Sequence, residues 1–229
     1  MKQTSSNTPR GVELIIWDLD GTLLNSLIIS IDVWQTVLPR HGFSAPTKHE
    51  VARNYHGTLL ETAQSLAPLA TPKQTTAILN DFMIVDNAYI QDANYHLFPD
   101  AVSLAERAHA TGAKQILVTN RAHGIDRLNA SPRNLIANSR LRDLFDVIIC
   151  SDEVVERKPS RHVLSGIEHD PSKTLIVGDQ FVDAQFAANL GCQAVLVNRN
   201  GFPIAHLDKL DAGWEAYVQL VQSLDEVDL

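Results

Sequence analysis

The largely apolar run Val12–Trp17 ends abruptly in Asp18-Leu19-Asp20-Gly21-Thr22-Leu23-Leu24, and no other stretch constrains the fold as strongly. The run reads as a fully buried strand. Two aspartates at alternate positions at its end are costly as packing, because an unpaired buried carboxylate carries a large desolvation penalty. They need a cation or shared protons. Gly21 permits a sharp turn where a side chain would block the approach of a ligand. In a doubly wound α/β sheet, ligands bind at the carboxyl ends of the strands, which is where this pair falls.

The rest of the chain divides in two. From Ser26 to Tyr95 no strand is legible. Ser26 caps a helix to about Pro39 with Leu27, Ile31, Trp34 and Leu38 on one face. Thr47–Tyr55, Thr58–Ala67 and Thr71–Tyr95 follow as helices, the last opened by Thr71-Pro72. Beyond His96 the pattern alternates. Helices are expected over Asp100–Thr111, from Ser131-Pro132, over Ser160–Glu168, Val182–Leu190 and, closing the chain, Trp214–Leu224. Strands are expected at Gln115–Thr119, Asp146–Cys150, Thr174–Val177 and Ala194–Val197. Such alternation implies a parallel sheet with right-handed crossovers. The expected architecture is α/β: a doubly wound, Rossmann-like core over 1–24 and 96–229, with a helical cap domain over 25–95 inserted after the first strand. Its linkers fall near Leu24–Ser26 and His96–Pro99.

Each strand is followed at once by a polar signal. Ile116-Leu117-Val118 runs into Thr119-Asn120-Arg121, and the region after the third strand holds Arg157-Lys158-Pro159. Leu175-Ile176-Val177 runs into Gly178-Asp179-Gln180-Phe181-Val182-Asp183. Singly these are ordinary: a turn, a solvated lysine, a helix start. In a parallel sheet, however, all the ends share one edge. Asp18, Asp20, Thr119, Lys158, Asp179 and Asp183 would converge there as a hard-cation site beside a phosphate site. Mg²⁺ suits it, being held by a few carboxylates together with substrate phosphate.

The four motifs, in this order and spacing, resemble the signature of the haloacid dehalogenase superfamily of aspartyl-phosphate enzymes. The helical insert resembles the branch that includes phosphoglycolate phosphatases and β-phosphoglucomutases. The resemblance implies that Asp18 is the nucleophile and that Asp20 protonates the leaving oxygen and later activates water. Thr119, with Asn120 beside it, and Lys158 would hold the phosphoryl oxygens. Mg²⁺ would sit with Asp18, the main-chain carbonyl of Asp20, Asp179 and Asp183. The second aspartate favours phosphate-ester chemistry over dehalogenation, since a halide needs no acid to leave. Two departures stand out: a long segment from Asn120 to Phe145, and a compact Lys158-Pro159-Ser160.

The motifs recognise only phosphate and metal, so substrate choice falls to the cap. Arg53-Asn54-Tyr55-His56-Gly57-Thr58 breaks two of its helices, making Arg53 and His56 candidates for substrate contact. The resulting expectation is a Mg²⁺-dependent phosphatase acting on a small phosphate monoester. A phosphomutase of the β-phosphoglucomutase type, and a non-catalytic phosphate- or protein-binding domain, stand as alternatives. The net charge of −8 over 229 residues argues against nucleic acid or an anionic membrane as partner. Cys150 and Cys192, both in apolar contexts, read as buried thiols in a cytoplasmic protein. No run approaches membrane-spanning length. The expected assembly is a monomer or homodimer.

Overall fold

A computed structural model describes residues 11–55, 59–90, 96–123, 130–199, 204 and 206–229. His56, the expected end of the helix at Tyr95 and the middle of the loop after Asn120 lie outside these residues. Six strands make one sheet: β1 (Leu14–Trp17), β2 (Lys114–Val118), β3 (Val147–Ile149), β4 (Thr174–Gly178), β5 (Gln193–Val197) and β6 (Val218–Val221). Their spatial order is β3-β2-β1-β4-β5-β6, and every neighbouring pair is parallel. The chain builds outward from β1 to β3 and then returns to the other side of β1. The strand order therefore reverses beside β1 and β4, where such sheets open a crevice.

Alternating residues of the strands feed two cores. Ile15, Trp17, Leu117, Leu175 and Val177 face one side, and Leu14, Ile16, Ile116, Val118 and Ile176 face the other. Burial on both faces is what a parallel sheet requires, and each such side chain contributes about 1.5–3 kcal/mol. The first core includes α5 (Pro99–Ala110), and the second includes α7 (Phe181–Leu190). A third core helix, α6 (Pro132–Ala137), follows the long loop. The amide of Gln115 in β2 is matched on both sides. Trp17 Nε1 donates to Gln115 Oε1 at 3.0 Å, and Gln115 Nε2 donates to the Ala105 carbonyl at 3.0 Å.

Among the described residues, the helices between β1 and α5 are α1 (Ser26–Arg40), α2 (Lys48–Asn54), α3 (Leu59–Leu66) and α4 (Pro72–Tyr89). They pack on one another, with Trp34 of α1 and Phe82 of α4 bringing ring centroids to 4.5 Å. Thr47 with Glu50 and Thr71 with Gln74 form reciprocal capping boxes at the starts of α2 and α4. The two crossings between core and insert bind each other. Asn25 N donates to the His96 carbonyl at 2.7 Å, Phe98 N donates to the Leu23 carbonyl at 2.9 Å, and Leu24 bridges Leu97 antiparallel. Arg199 stacks 3.8 Å over the Phe98 ring and donates to Asp100 Oδ2 and the Thr22 carbonyl, tying both crossings to the loop after β5.

Several elements differ from expectation: Asn25 and not Ser26 stands at the N-cap of α1, and α4 ends at Tyr89 rather than Tyr95. Trp214–Leu224 is not a helix: a 3₁₀ turn at Trp214–Ala216 leads into β6, which pairs with β5. The apolar spacing there fits a helix, but the open edge of β5 offers ladder bonds to a Val-rich segment, and tertiary pairing overrides the local pattern. Ser160–Glu168 contracts to a 3₁₀ turn over Arg161–Leu164. Among the described residues no helix is long and apolar enough to cross a membrane. Cys150 and Cys192 are buried, unpaired thiols.

Candidate active site

The sheet ladder continues just past β1 and β2. Asp18 N donates to the Val177 carbonyl and Thr119 N to the Ile149 carbonyl, which fixes both side chains at the carboxyl edge. Asp179 follows β4 directly, and Asp183 lies in the first turn of α7. The four residues and Lys158 are all buried. Carboxylate oxygens of Asp18, Asp179 and Asp183 lie within 4.8 Å of one another. Asp18, Asp179, Asp183 and Lys158 are thus brought together at the reversal of strand order, with Thr119 at the end of the neighbouring strand.

Lys158 holds the cluster together. Its Nζ donates to Asp18 Oδ1 at 2.6 Å and to Asp183 Oδ1 at 2.7 Å. Burial disfavours its charge, but the two carboxylates outweigh that and hold its pKa above the usual lysine range. The other oxygen of Asp183 accepts from the main-chain N–H groups of Asp179 and Gln180, so this aspartate also shapes the turn into α7. Asn120 Nδ2 donates to the Lys158 carbonyl at 3.3 Å, bracing the lysine segment. Thr119 Oγ1 accepts from Arg121 N at 3.0 Å.

Two glycines make this crowding possible. A Cβ on Gly21 would lie 2.0 Å from Asp179 Oδ2, and φ there is +84°. A Cβ on Gly178 would lie 2.3 Å from Asp183 Cγ. The glycine after Asp20 thus makes room for another aspartate of the site.

Three buried carboxylates surround one ammonium, so charge is unbalanced. Burial, against the pull of Lys158, pushes the Asp18 carboxyl up to about 7. Burial, reinforced by Asp18 and Asp183, holds Asp179 well above the carboxylate range. Asp179 Oδ1 is buried without a hydrogen-bond partner among the described residues. An all-oxygen, acid-rich cluster with an orphaned oxygen fits a hard divalent cation.

Asp20 sits apart from that cluster. Both its oxygens accept from one guanidinium: Arg121 Nε donates to Oδ2 at 2.9 Å and Nη2 to Oδ1 at 2.6 Å. Arg121 Nη1 donates to the Ala130 carbonyl at 3.3 Å and lies 3.6 Å from Asp86 Oδ2 on α4. Ala130 N donates to Asn87 Oδ1, the next side chain of α4. Arg121 is the site residue that sequence reasoning passed over. Its signal was its position directly after Thr119-Asn120 at a strand end.

The break after α2 turns Tyr55 toward the site. Its hydroxyl is hydrogen-bonded to Ser26 Oγ. Burial, with the charges of Asp20 and Asp179, holds its pKa well above the ordinary tyrosine value. Arg53 is exposed and lines a groove of the insert with Phe43, Pro46, Glu50, Leu66 and Leu69; no strand-end residue lines it.

Known proteins resemble the chain in sequence and in fold. The family model described as haloacid dehalogenase-like hydrolase matches residues 15–197. The chain is 25% identical over 207 residues to a phosphoglycolate phosphatase of Aliivibrio fischeri, covering 85% of this chain and 88% of that one. It superposes on a predicted phosphoglycolate phosphatase from Haemophilus somnus with a TM-score of 0.73 at 18% identity, covering 93% and 95% of the two chains. CbbY from Rhodobacter sphaeroides, solved with xylulose-1,5-bisphosphate, superposes with a TM-score of 0.69 at 19% identity over 94% and 96%.

Proposed function

The chain belongs to the haloacid dehalogenase-like hydrolases, and on that premise we propose that it is a Mg²⁺-dependent phosphatase hydrolysing a small phosphate monoester through an aspartyl-phosphate on Asp18. The observation that carries this reading is the contact of Lys158 with Asp18 at 2.6 Å, beside the orphaned oxygen of Asp179. A carboxylate attacks a phosphate dianion only when their repulsion is cancelled. Lys158 supplies part of that, and Mg²⁺ held by Asp18 and Asp179, with Asp183 at hand, would neutralise phosphoryl charge.

An oxygen of Asp18 attacks phosphorus, and the ester P–O bond breaks. The leaving oxygen takes a proton from Asp20. In the second half, Asp20 takes a proton from water, which attacks the aspartyl-phosphate and releases orthophosphate, restoring Asp18. Thr119 and Lys158 bear on the phosphoryl oxygens. The insert, 25–95, serves as a cap over this edge; Tyr55, Asp86 and Asn87 are its points of approach and support that reading. A cap keeps bulk water from the acyl-phosphate until the leaving group has gone. Two unpaired cysteines suit a reducing, cytoplasmic setting.

The test is a panel of phosphorylated metabolites with Mg²⁺ present. Orthophosphate should appear, chelation should silence the reaction, and Asp18→Asn should lower kcat by about a thousandfold or more with the fold kept. An isomerised sugar phosphate in place of orthophosphate would make the enzyme a mutase. Activity of Asp18→Asn within tenfold of wild type, its mass checked for reversion, would remove Asp18 as nucleophile.

A further inference from the structure

The chemistry above needs a free oxygen on Asp20, and the structure commits both of them to Arg121. A carboxyl that passes a proton to a leaving group needs one oxygen turned toward that group. A guanidinium bonded to both oxygens holds the carboxylate as an ion pair and keeps it turned away. The pair is well sheltered, with the Arg121 side chain 12% exposed. Burial opposes the arginine's charge, yet Asp20 and Asp86 more than offset it. Simply losing Asp20 would leave that guanidinium poorly compensated in a dry setting. Exchanging Asp20 for another anion would not.

We propose that Arg121 masks Asp20 until a second anionic group on the substrate, a carboxylate or another phosphate, draws the guanidinium away. The inference rests on the phosphatase reading and adds a substrate class to it: monoesters whose leaving portion carries its own negative charge. Three features support the exchange. The guanidinium fork is the donor pattern that carboxylates and phosphates accept in two-point fashion. Asp86, on the other side of the arginine, tethers it so that it pivots and stays. The arginine lies between the strand edge and α4, next to Tyr55, in the space between the aspartates and the inserted helices. Binding energy from the non-reacting end of the substrate is thereby spent on assembling the acid at the reacting end.

The experiment compares three small alkyl phosphates of similar length, with a carboxylate, a phosphate or a neutral hydroxyl at the far end, on wild type, Arg121→Ala and Arg121→Lys. Wild type should favour the anionic tails in kcat by about tenfold to a hundredfold, the worth of a charge-assisted pair. The carboxylate and phosphate arms tell which anion does it. Arg121→Ala should raise kcat on the neutral ester while raising KM on the anionic ones, so that the preference collapses. Lysine covers one oxygen of Asp20 and keeps a cation. Arg121→Lys should therefore speed the neutral ester while holding KM for anionic tails near wild type, and it carries the test should the alanine variant fail to fold. Added acetate should raise wild-type kcat on the neutral ester and leave Arg121→Ala unmoved. A fall in kcat on the neutral ester in both variants would overturn the proposal, making Arg121 a group that positions Asp20 for reaction. Equal wild-type kcat on all three esters would overturn it too. A wild type that releases no phosphate from any ester, an activated aryl phosphate included, fails the phosphatase reading itself.

Discussion

Lys158 and Arg121 each stand between two carboxylates at the same sheet edge, and they hold them differently. Lys158 is 2% exposed and lies between Asp18 after β1 and Asp183 on α7, with both partners in the core. Arg121 lies between Asp20 after β1 and Asp86 on α4, so its partners belong to core and insert. An ammonium is a point charge, and it takes one oxygen, Oδ1, from each of its partners. A guanidinium is a fork and takes both oxygens of Asp20. Two aspartates two residues apart are thus prepared for different work. Asp18 keeps an oxygen outside its ion pair, as the proposed nucleophile must, and both oxygens of Asp20 are taken by Arg121.

The largest effect should come from breaking the lysine side. Lys158→Ala leaves Asp18, Asp179 and Asp183 buried without their cation, which should destabilise the metal-free protein by about 3–5 kcal/mol in urea unfolding. A loss under about 1 kcal/mol would mean that the cluster is relieved by protonation and that the lysine is no keystone.

Protons should report the same imbalance. The folded Asp18 carboxyl is raised to about 7 from an ordinary 3.8, burial being the main cause. The folded state therefore holds a proton that the unfolded chain gives up. The stabilisation this contributes is complete below pH 3.8 and is lost as pH rises through 7. In metal-free protein the stability difference between wild type and Asp18→Asn should fall by a few kcal/mol across that window, to order of magnitude. Excess Mg²⁺ should flatten the fall. A difference that grows with pH would contradict it.

A narrower probe separates the two sides. Gly21→Ala puts a methyl where Asp179 Oδ2 now lies, at φ +84°. Divalent-cation affinity, read by titration calorimetry, should fall about tenfold or more, with about 1–3 kcal/mol of stability lost to backbone strain. Unchanged affinity would show that Asp179 has room to retreat. The smallest effect belongs to Arg53→Ala, outside both ion-pair clusters. Stability should stay within about 0.5 kcal/mol, and turnover of a generic ester should stay near wild type. A marked loss would bring the groove into the site.

The lysine side was legible in the sequence and the arginine side was not. Asp18, Thr119, Asp179 and Asp183 each follow an apolar strand directly or within a turn, so parallel topology alone brings them to one edge. Lys158 belonged to the same set by order. Arg121 pairs with a residue 101 positions away, and an arginine in a long loop is solvated by default. Its buried setting is made by residues distant in sequence, Asp20, Tyr55 and Asp86. In the break after α2, sequence favoured Arg53 and His56; among the described residues there, Tyr55 is the side chain turned toward the aspartates. Helical geometry sends residues two apart to different faces, and the register of α2 decides which one looks inward. The closing strand β6 was hidden for a related reason, since its pairing edge is made by β5 and not by its own residues.

The paired crossings at Leu23–Asn25 and His96–Phe98 carry a mechanical consequence. Two chains hydrogen-bonded edge to edge form a ribbon, and a ribbon flexes easily out of its plane while resisting shear and stretch within it. If the inserted helices act as the proposed cap, such a ribbon would favour one direction of travel over the several that two independent tethers would give. Arg199 rivets one end of the ribbon, holding the Phe98 ring and the Thr22 carbonyl at once. Thr22 lies two residues from Asp20 in the same tight turn, so the anchor of the ribbon and the seat of the proposed acid are cut from a single piece of backbone.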